Sequence, residues 1–242
     1  MTDRVERFGN WLFRFRSWIP PFLLAVLVGA VWREPSEPPG LDPVGLGSGV
    51  VTVVIGFLIR AAVVGTAAPG TSGRNTLEQV ADHLNTTGLY SIVRHPLYLG
   101  NLFTWLGLAL ATSAWWAPVV TLLAFGIFYW GITVAEESFL RRRFGERYLQ
   151  WASQTPRFVP RLGKWVPSRL PFSGKIVLRQ EYYGWFTVTL FFTVLEAAAQ
   201  FRDTGRPALS VPWLVTFGLI TVVCAVLRTL QRRTALLDVA GR

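Results

Sequence analysis

Six apolar stretches alternate with short polar segments along the 242 residues, at 18–32, 44–66, 97–114, 115–135, 182–199 and 211–227. A helix that spans a bilayer needs about 20 apolar residues. The second and fourth stretches reach that length. The first and sixth are shorter, and the first opens on Pro20-Pro21. From Leu97 to Ala135 there is no charged residue, a run too long for one helix. Thr112-Ser113-Ala114 supplies a tight turn within it, and Pro118 is tolerated in the first turn of the helix that follows. The pattern predicts an all-α polytopic transmembrane protein of about six spans, folded as one integral membrane domain over 1–242.

Charge then orients the spans. Of 24 Lys and Arg, 4 lie in 1–18, 2 in 67–96, 10 in 136–181 and 4 after Leu227. With six spans all of these fall on one side, which the positive-inside rule makes cytoplasmic, together with both termini. The other side keeps Arg33, Arg202 and Arg206, and Arg60 falls within the second stretch. The expected location is therefore the inner or plasma membrane. The four arginines before residue 18 resemble the start of a signal peptide, but no small-residue cleavage site follows, so an uncleaved first helix is expected. Three polar segments remain on the basic side. Residues 67–93 read as a loop, rich in Gly, Thr and Asn around 71–75, with a short helix near 77–84. Residues 138–153 read as an amphipathic helix lying in the interface, with Phe139, Leu140, Phe144, Tyr148 and Trp151 on one side. Residues 156–181 hold Pro156, Pro160, Pro167 and Pro171 and read as a loop.

Composition agrees. The chain is 51% hydrophobic and only 16% charged, against about 25% charged in a soluble domain. Many of the 11 Trp flank apolar stretches, as in the aromatic belts of bilayer interfaces. The net charge of +10 sits at helix ends, which suits anionic lipid and excludes a nucleic-acid face. One cysteine and two histidines exclude a disulfide scaffold and a His-based metal cluster, so no metal is expected.

Polar groups at membrane depth are functional by default. The segment from Gly88 to Gly100 leads into the third stretch, and Pro96 disfavours a helical conformation at His95. Arg94 and His95 thus sit in a bend at a helix start, where backbone N–H groups are free and the dipole is positive. That arrangement suits a ligand carrying carboxylate or hydroxyl groups; it equally suits a snorkelling arginine beside an interfacial histidine. Glu136-Glu137 follows the charge-free hairpin directly and so returns to the same face. One carboxylate can hold a cation while the other pairs with Arg94 or with Arg141, Arg142 and Arg143; the alternative is two solvated charges capping a span. S-adenosylmethionine, with an ammonium and a carboxylate on its amino-acid moiety, matches such a pair of clusters.

Arg94-His95-Pro96-x-Tyr98-x-Gly100, Glu136-Glu137-x-x-Leu140, Phe144-Gly145-x-x-Tyr148-x-x-Trp151 and Pro156-x-x-x-Pro160, in that order, resemble the isoprenylcysteine carboxyl methyltransferase family and the wider group of phospholipid methyltransferases. The resemblance covers 86–160, a motif core followed over 161–242 by a basic Pro-rich loop and two further spans. It implies a pocket for S-adenosylmethionine at the cytoplasmic face. Tyr90, Arg94, His95, Pro96, Tyr98, Gly100 and Tyr148 would line it, and one of Glu136 or Glu137, with Glu137 favoured, would take the ammonium. The expected reaction is methyl transfer to a lipid or lipid-linked acceptor reached from the bilayer. Arg94, His95, Glu136 and Arg157 are the expected catalytic groups. Arg157 or Arg60 would position a carboxylate or phosphate, whereas an amine would need Glu136 or His95 as base. An anionic oxygen acceptor is favoured, because Arg60, Arg74 and Arg157 are all basic. A sterol-type reductase binding NADPH is the alternative within the membrane-enzyme class; two adjacent carboxylates would repel that cofactor. A membrane protein without enzymatic activity is the other. Gly45-x-Gly47-x-Gly49, with no strand before it, is read as a helix-packing surface rather than a nucleotide loop. Glu196 is read as an interfacial charge, and His83 as structural.

Overall fold

The computed structural model describes residues 3–34, 39–68, 81–239 and 241. Eight α-helices account for most of them: α1 (Asp3–Phe15), α2 (Ile19–Val31), α3 (Pro43–Thr66), α4 (Pro96–Leu110), α5 (Trp116–Phe144), α6 (Glu146–Gln154), α7 (Gly174–Thr204) and α8 (Val211–Arg233). Five helical segments are long and apolar enough to cross a membrane, the first running from Arg7 to Val31 through α1 and α2. The third expected span, over 97–114, is α4, which has 15 residues and reaches only about 23 Å at 1.5 Å per residue.

α4 packs closely against α3. A Cβ placed on Gly49 would lie 2.5 Å from the Gly107 carbonyl oxygen, and one on Gly56 would lie 2.7 Å from that of Gly100. The two helices therefore meet backbone to backbone along an antiparallel seam that only glycine permits. Gly45 belongs to the same seam, whereas Gly47 faces open space. Gly49→Leu forces the seam apart, a change that costs about 1–3 kcal/mol in overpacked cores. It should lower the melting temperature of the detergent-solubilised protein by several degrees, with Gly47→Leu leaving it unchanged.

The hairpin turn falls at the expected place. Ser113 takes a positive φ of 56°, and its hydroxyl donates to Asp42 Oδ2 at 3.2 Å. The N-terminal region differs from the expected span over 18–32. Here α1 precedes a short 3-10 turn at Arg16–Trp18, and α2 follows. Pro20 and Pro21 have no N–H to continue a ladder, so the path bends there. Buried Leu12 and Phe13, with Gly9 against the Gly131 carbonyl, dock α1 on α5. Phe8, Trp11 and Phe15 stay exposed.

Three further expectations are corrected. The interfacial helix over 138–153 is absent: α5 continues to Phe144, and Gly145, at φ +54°, turns the chain into α6. The Pro-rich loop ends sooner than 181, because α7 starts at Gly174 and buries Ile176, Val177 and Glu181. Glu196 is no interfacial charge; it is buried, accepts the Leu41 N–H at 2.9 Å and meets the Gln200 amide at 3.0 Å. Residues 71–75, Arg74 among them, lie outside the described residues, as does half of the short helix expected near 77–84. Its other half, 81–84, is not helical.

Candidate functional site

The basic end of the bundle is framed by two loop segments laced together. Arg94 N–H donates to the Pro156 carbonyl at 2.9 Å, Arg161 N–H to that of Ile92 at 2.9 Å, and Gly88 N–H to that of Val166 at 2.9 Å. Gly88, at φ +60°, makes the turn that allows this pairing. Trp151 on α6 donates its indole N–H to the Tyr90 carbonyl at 3.1 Å. The segment before α4, a 3-10 turn at Leu89–Ser91 followed by a non-helical His95, is thereby fixed, and it presents Arg94 and His95 toward Glu136 and Glu137 of α5.

There Arg94, His95, Glu136, Glu137 and Arg157, all singled out in the sequence, meet. Glu137 Oε1 faces His95 Nε2 at 3.1 Å and Arg157 Nε at 2.9 Å. Its Oε2 takes Arg157 Nη2 and Arg94 Nη1 at 3.0 Å. A carboxylate has about four lone-pair sites, and here four nitrogens gather around them. Glu137, expected to take the ammonium, is the centre of a clasp between these side chains. Arg157, expected among the catalytic groups, has its fork closed on Glu137. His95 Nδ1 lies 3.6 Å from Glu136 Oε2, and the Tyr98 hydroxyl donates to Glu136 Oε1. Glu136 is the carboxylate that faces open space.

That space is a cavity of about 730 Å³, within the range of about 300–1,000 Å³ common for ligand sites. Tyr90, Arg94, His95, Tyr98 and Glu136 line it. Pro96, Gly100, Glu137, Tyr148 and Arg157 are not among its lining residues. Gly100 faces α3, where a Cβ would meet the Arg60 side chain at 2.5 Å. Pro96 is buried in the first turn of α4 and acts through the bend. Tyr148 is buried behind the clasp. Burial, and then the Glu137 charge, push its phenol up to about 12, with Arg94 opposing. Burial, then Glu136, likewise raise the Tyr90 phenol, against Asn85 and Arg60. Both phenols are neutral near pH 7. Arg94 Nε is buried with no hydrogen-bond partner among the described residues.

Several lining residues escaped the sequence reading. Asn101 and Tyr129 are polar groups inside an apolar run, and Arg16 sits at the bend between α1 and α2. His83, read as structural, also lines the cavity. The signal for Asn101 was spacing: His95, Tyr98 and Asn101 recur every three residues, which sets them on one helix face. Glu181 was missed because it falls just before an apolar stretch, where a charge looks like an end cap. Among the described residues no group of His, Cys, Asp and Glu could hold a metal.

These features define an integral membrane helical bundle with an ion-lined cavity at its basic end. The profile of the family described as phospholipid methyltransferase matches residues 46–147. The nickel-cobalt-cadmium resistance protein NccN of Alcaligenes xylosoxydans xylosoxydans is 32% identical over 158 residues, 65% of this chain and 66% of its own. The cobalt-zinc-cadmium resistance protein CzcN of Cupriavidus metallidurans is 42% identical over 79 residues, 33% of this chain and 36% of its own. The protein-S-isoprenylcysteine O-methyltransferase of Schizosaccharomyces pombe is 32% identical over 119 residues, 45% and 49% of the two chains. The chain thus spans between about a third and two thirds of the length of these relatives. No solved structure matches it. The chain belongs to the family of membrane proteins that unites the isoprenylcysteine carboxyl methyltransferases and the phospholipid methyltransferases.

Proposed function

We propose that this protein moves a methyl group from S-adenosylmethionine to a lipid or lipid-linked acceptor, an oxygen acceptor before an amine. The observation that carries the reading is one cavity that is ionic at one end, at Arg94, His95 and Glu136, and apolar at the other, at Trp105, Leu108 and Phe191. A polar donor and a lipid-soluble acceptor need such a two-ended site. Family membership supports the reaction class, and the isoprenylcysteine O-methyltransferases among the relatives support a lipid-linked oxygen acceptor.

The residues present fit the donor. Arg94, with a buried Nε lacking a partner, suits its carboxylate, and Glu136 suits its ammonium. Phe139, Leu140 and Trp151 offer apolar faces for its adenine. When bound, S-adenosylmethionine supplies a methyl already activated by the sulfonium, so the chain need not supply a nucleophile. The clasp around Glu137 fixes Arg94 and His95, and thereby the geometry on which an in-line transfer depends. The apolar wall keeps water from competing with the acceptor.

Two measurements test the reading. Titration calorimetry of the purified protein should show S-adenosylmethionine binding that NADPH does not displace; binding of NADPH alone would favour a reductase. We also place the clasp end in the cytoplasm, on the strength of the basic residues gathered there. In a Cys224→Ser background, a cysteine at Thr204 should react with an impermeant reagent added outside intact cells, and one at Glu146 should not. External labelling at position 146 would reverse the orientation.

A further inference from the structure

A second polar cluster faces the same cavity from α3 and α7. Arg60 donates from Nε to Glu181 Oε2 at 2.7 Å and from Nη2 to Glu181 Oε1 at 2.8 Å. Its Nη1 donates to Asn101 Oδ1 at 2.5 Å, and the Asn101 amide donates to the Tyr129 hydroxyl at 3.2 Å. Arg60 therefore does not snorkel to water; it is held rigid within the bundle. The two members of the pair differ in access. Both line the cavity, but Glu181 is 3% exposed and Arg60 23%, so the guanidinium is the more accessible of the two. Three of the five N–H groups of an arginine are committed here, and two remain.

Past this pair the wall loses its polarity. His95, Tyr98, Asn101, Trp105 and Leu108 all line the cavity, and their spacings of three and four set them along one face of α4. That face grades from polar to apolar. Phe57, Val188 and Phe191 close the apolar end from α3 and α7. Glu181 and the α7 residues lie beyond the part of the chain that the family profile covers, 46–147.

We propose that Arg60 and Glu181 form the acceptor station: the two uncommitted N–H groups of Arg60 hold an anionic oxygen of the acceptor, and its lipid chain lies along Phe57, Trp105, Leu108, Val188 and Phe191. This rests on the methyl-transfer reading. The more accessible partner offers only N–H donors, and both oxygens of Glu181 are already taken by Arg60; such a surface suits a carboxylate or phosphate and offers an ammonium no acceptor. Glu181 explains how such a site avoids defeating itself. A bare guanidinium would bind the anion tightly and hold down the lone pair that must attack. With Glu181 bound, the pair is neutral overall and still donates two hydrogen bonds. In the transfer, the acceptor oxygen bonds to the methyl carbon as the carbon–sulfur bond breaks, and that bond's electron pair passes to sulfur. The anionic and cationic charges cancel, and no proton moves.

The test compares Glu181→Gln and the neutral double variant Arg60→Gln/Glu181→Gln with the unaltered full chain in detergent micelles. Retention of N-acetyl-S-prenylcysteine (carboxylate), phosphatidic acid (phosphate) and a long-chain alkylamine is read by native mass spectrometry, alongside calorimetry with S-adenosylmethionine. The expected result is that one of the two anionic lipids is retained at least tenfold better by the unaltered protein than by the double variant. Affinity for S-adenosylmethionine should stay within twofold, which also shows that the variants fold. Glu181→Gln should hold that anionic lipid as tightly or more tightly, yet transfer labelled methyl to it at least tenfold more slowly. Equal retention by the unaltered protein and the double variant, or preferred retention of the alkylamine, overturns the proposal. Arg60-dependent retention without any binding of S-adenosylmethionine would instead overturn the methyl-transfer reading and leave a lipid station.

Discussion

Glu137→Ala should abolish measurable S-adenosylmethionine binding and destabilise the protein at the same time. The side chain is 12% exposed and joins Arg94, Arg157 and His95. Removing it leaves two guanidinium groups, 19% and 27% exposed, with no carboxylate between them. Breaking a buried ion pair by removing one partner costs about 3–5 kcal/mol, and here one carboxylate serves several partners. Arg94 would swing toward water, and the Pro-rich segment carrying Arg157 would lose its side-chain anchor to α5. Affinity should fall at least hundredfold, about 2.7 kcal/mol, with a clear drop in melting temperature. A variant that melts like the unaltered protein would show that the clasp does not hold this end together.

Glu136→Ala should behave differently. Its carboxylate faces the cavity, with Tyr98 and His95 as neighbours. Its loss removes the proposed partner of the donor's ammonium and leaves the Glu137 clasp with Arg94 and Arg157 intact. Binding should weaken tenfold or more, about 1.4 kcal/mol, while the melting temperature holds. Unchanged binding would move the ammonium elsewhere. The contrast between adjacent residues is the useful part, since both are glutamates at one helix end and only three-dimensional placement separates them.

That separation marks where the sequence stopped being readable. Apolar runs set the spans, because lipid forces every backbone group into a helix. The charge-free run placed the hairpin, and the paired motifs placed Arg94, His95 and Glu136 at one end. Which glutamate the clasp holds depends on where Arg157 lands, and that is decided by the backbone bond from Arg94 to Pro156 across 62 residues. No local pattern carries such information. Gly100 was read as a cofactor residue because it stands in the motif, and it faces Arg60 of α3. The Arg60–Glu181 pair spans 121 residues, and Glu181 looked like an end cap because the start of α7 was set too late. Residues that match a motif were found by type; residues that meet only through packing were not.

The most direct test of methyl transfer uses purified protein, methyl-labelled S-adenosylmethionine and a total lipid extract, with the organic phase counted and resolved by lipid class. Label should accumulate in one lipid class, be released as methanol by mild base if the acceptor is a carboxylate, and fall at least tenfold with Glu136→Ala. No label in any lipid, from protein that is folded and binds S-adenosylmethionine, would contradict the account.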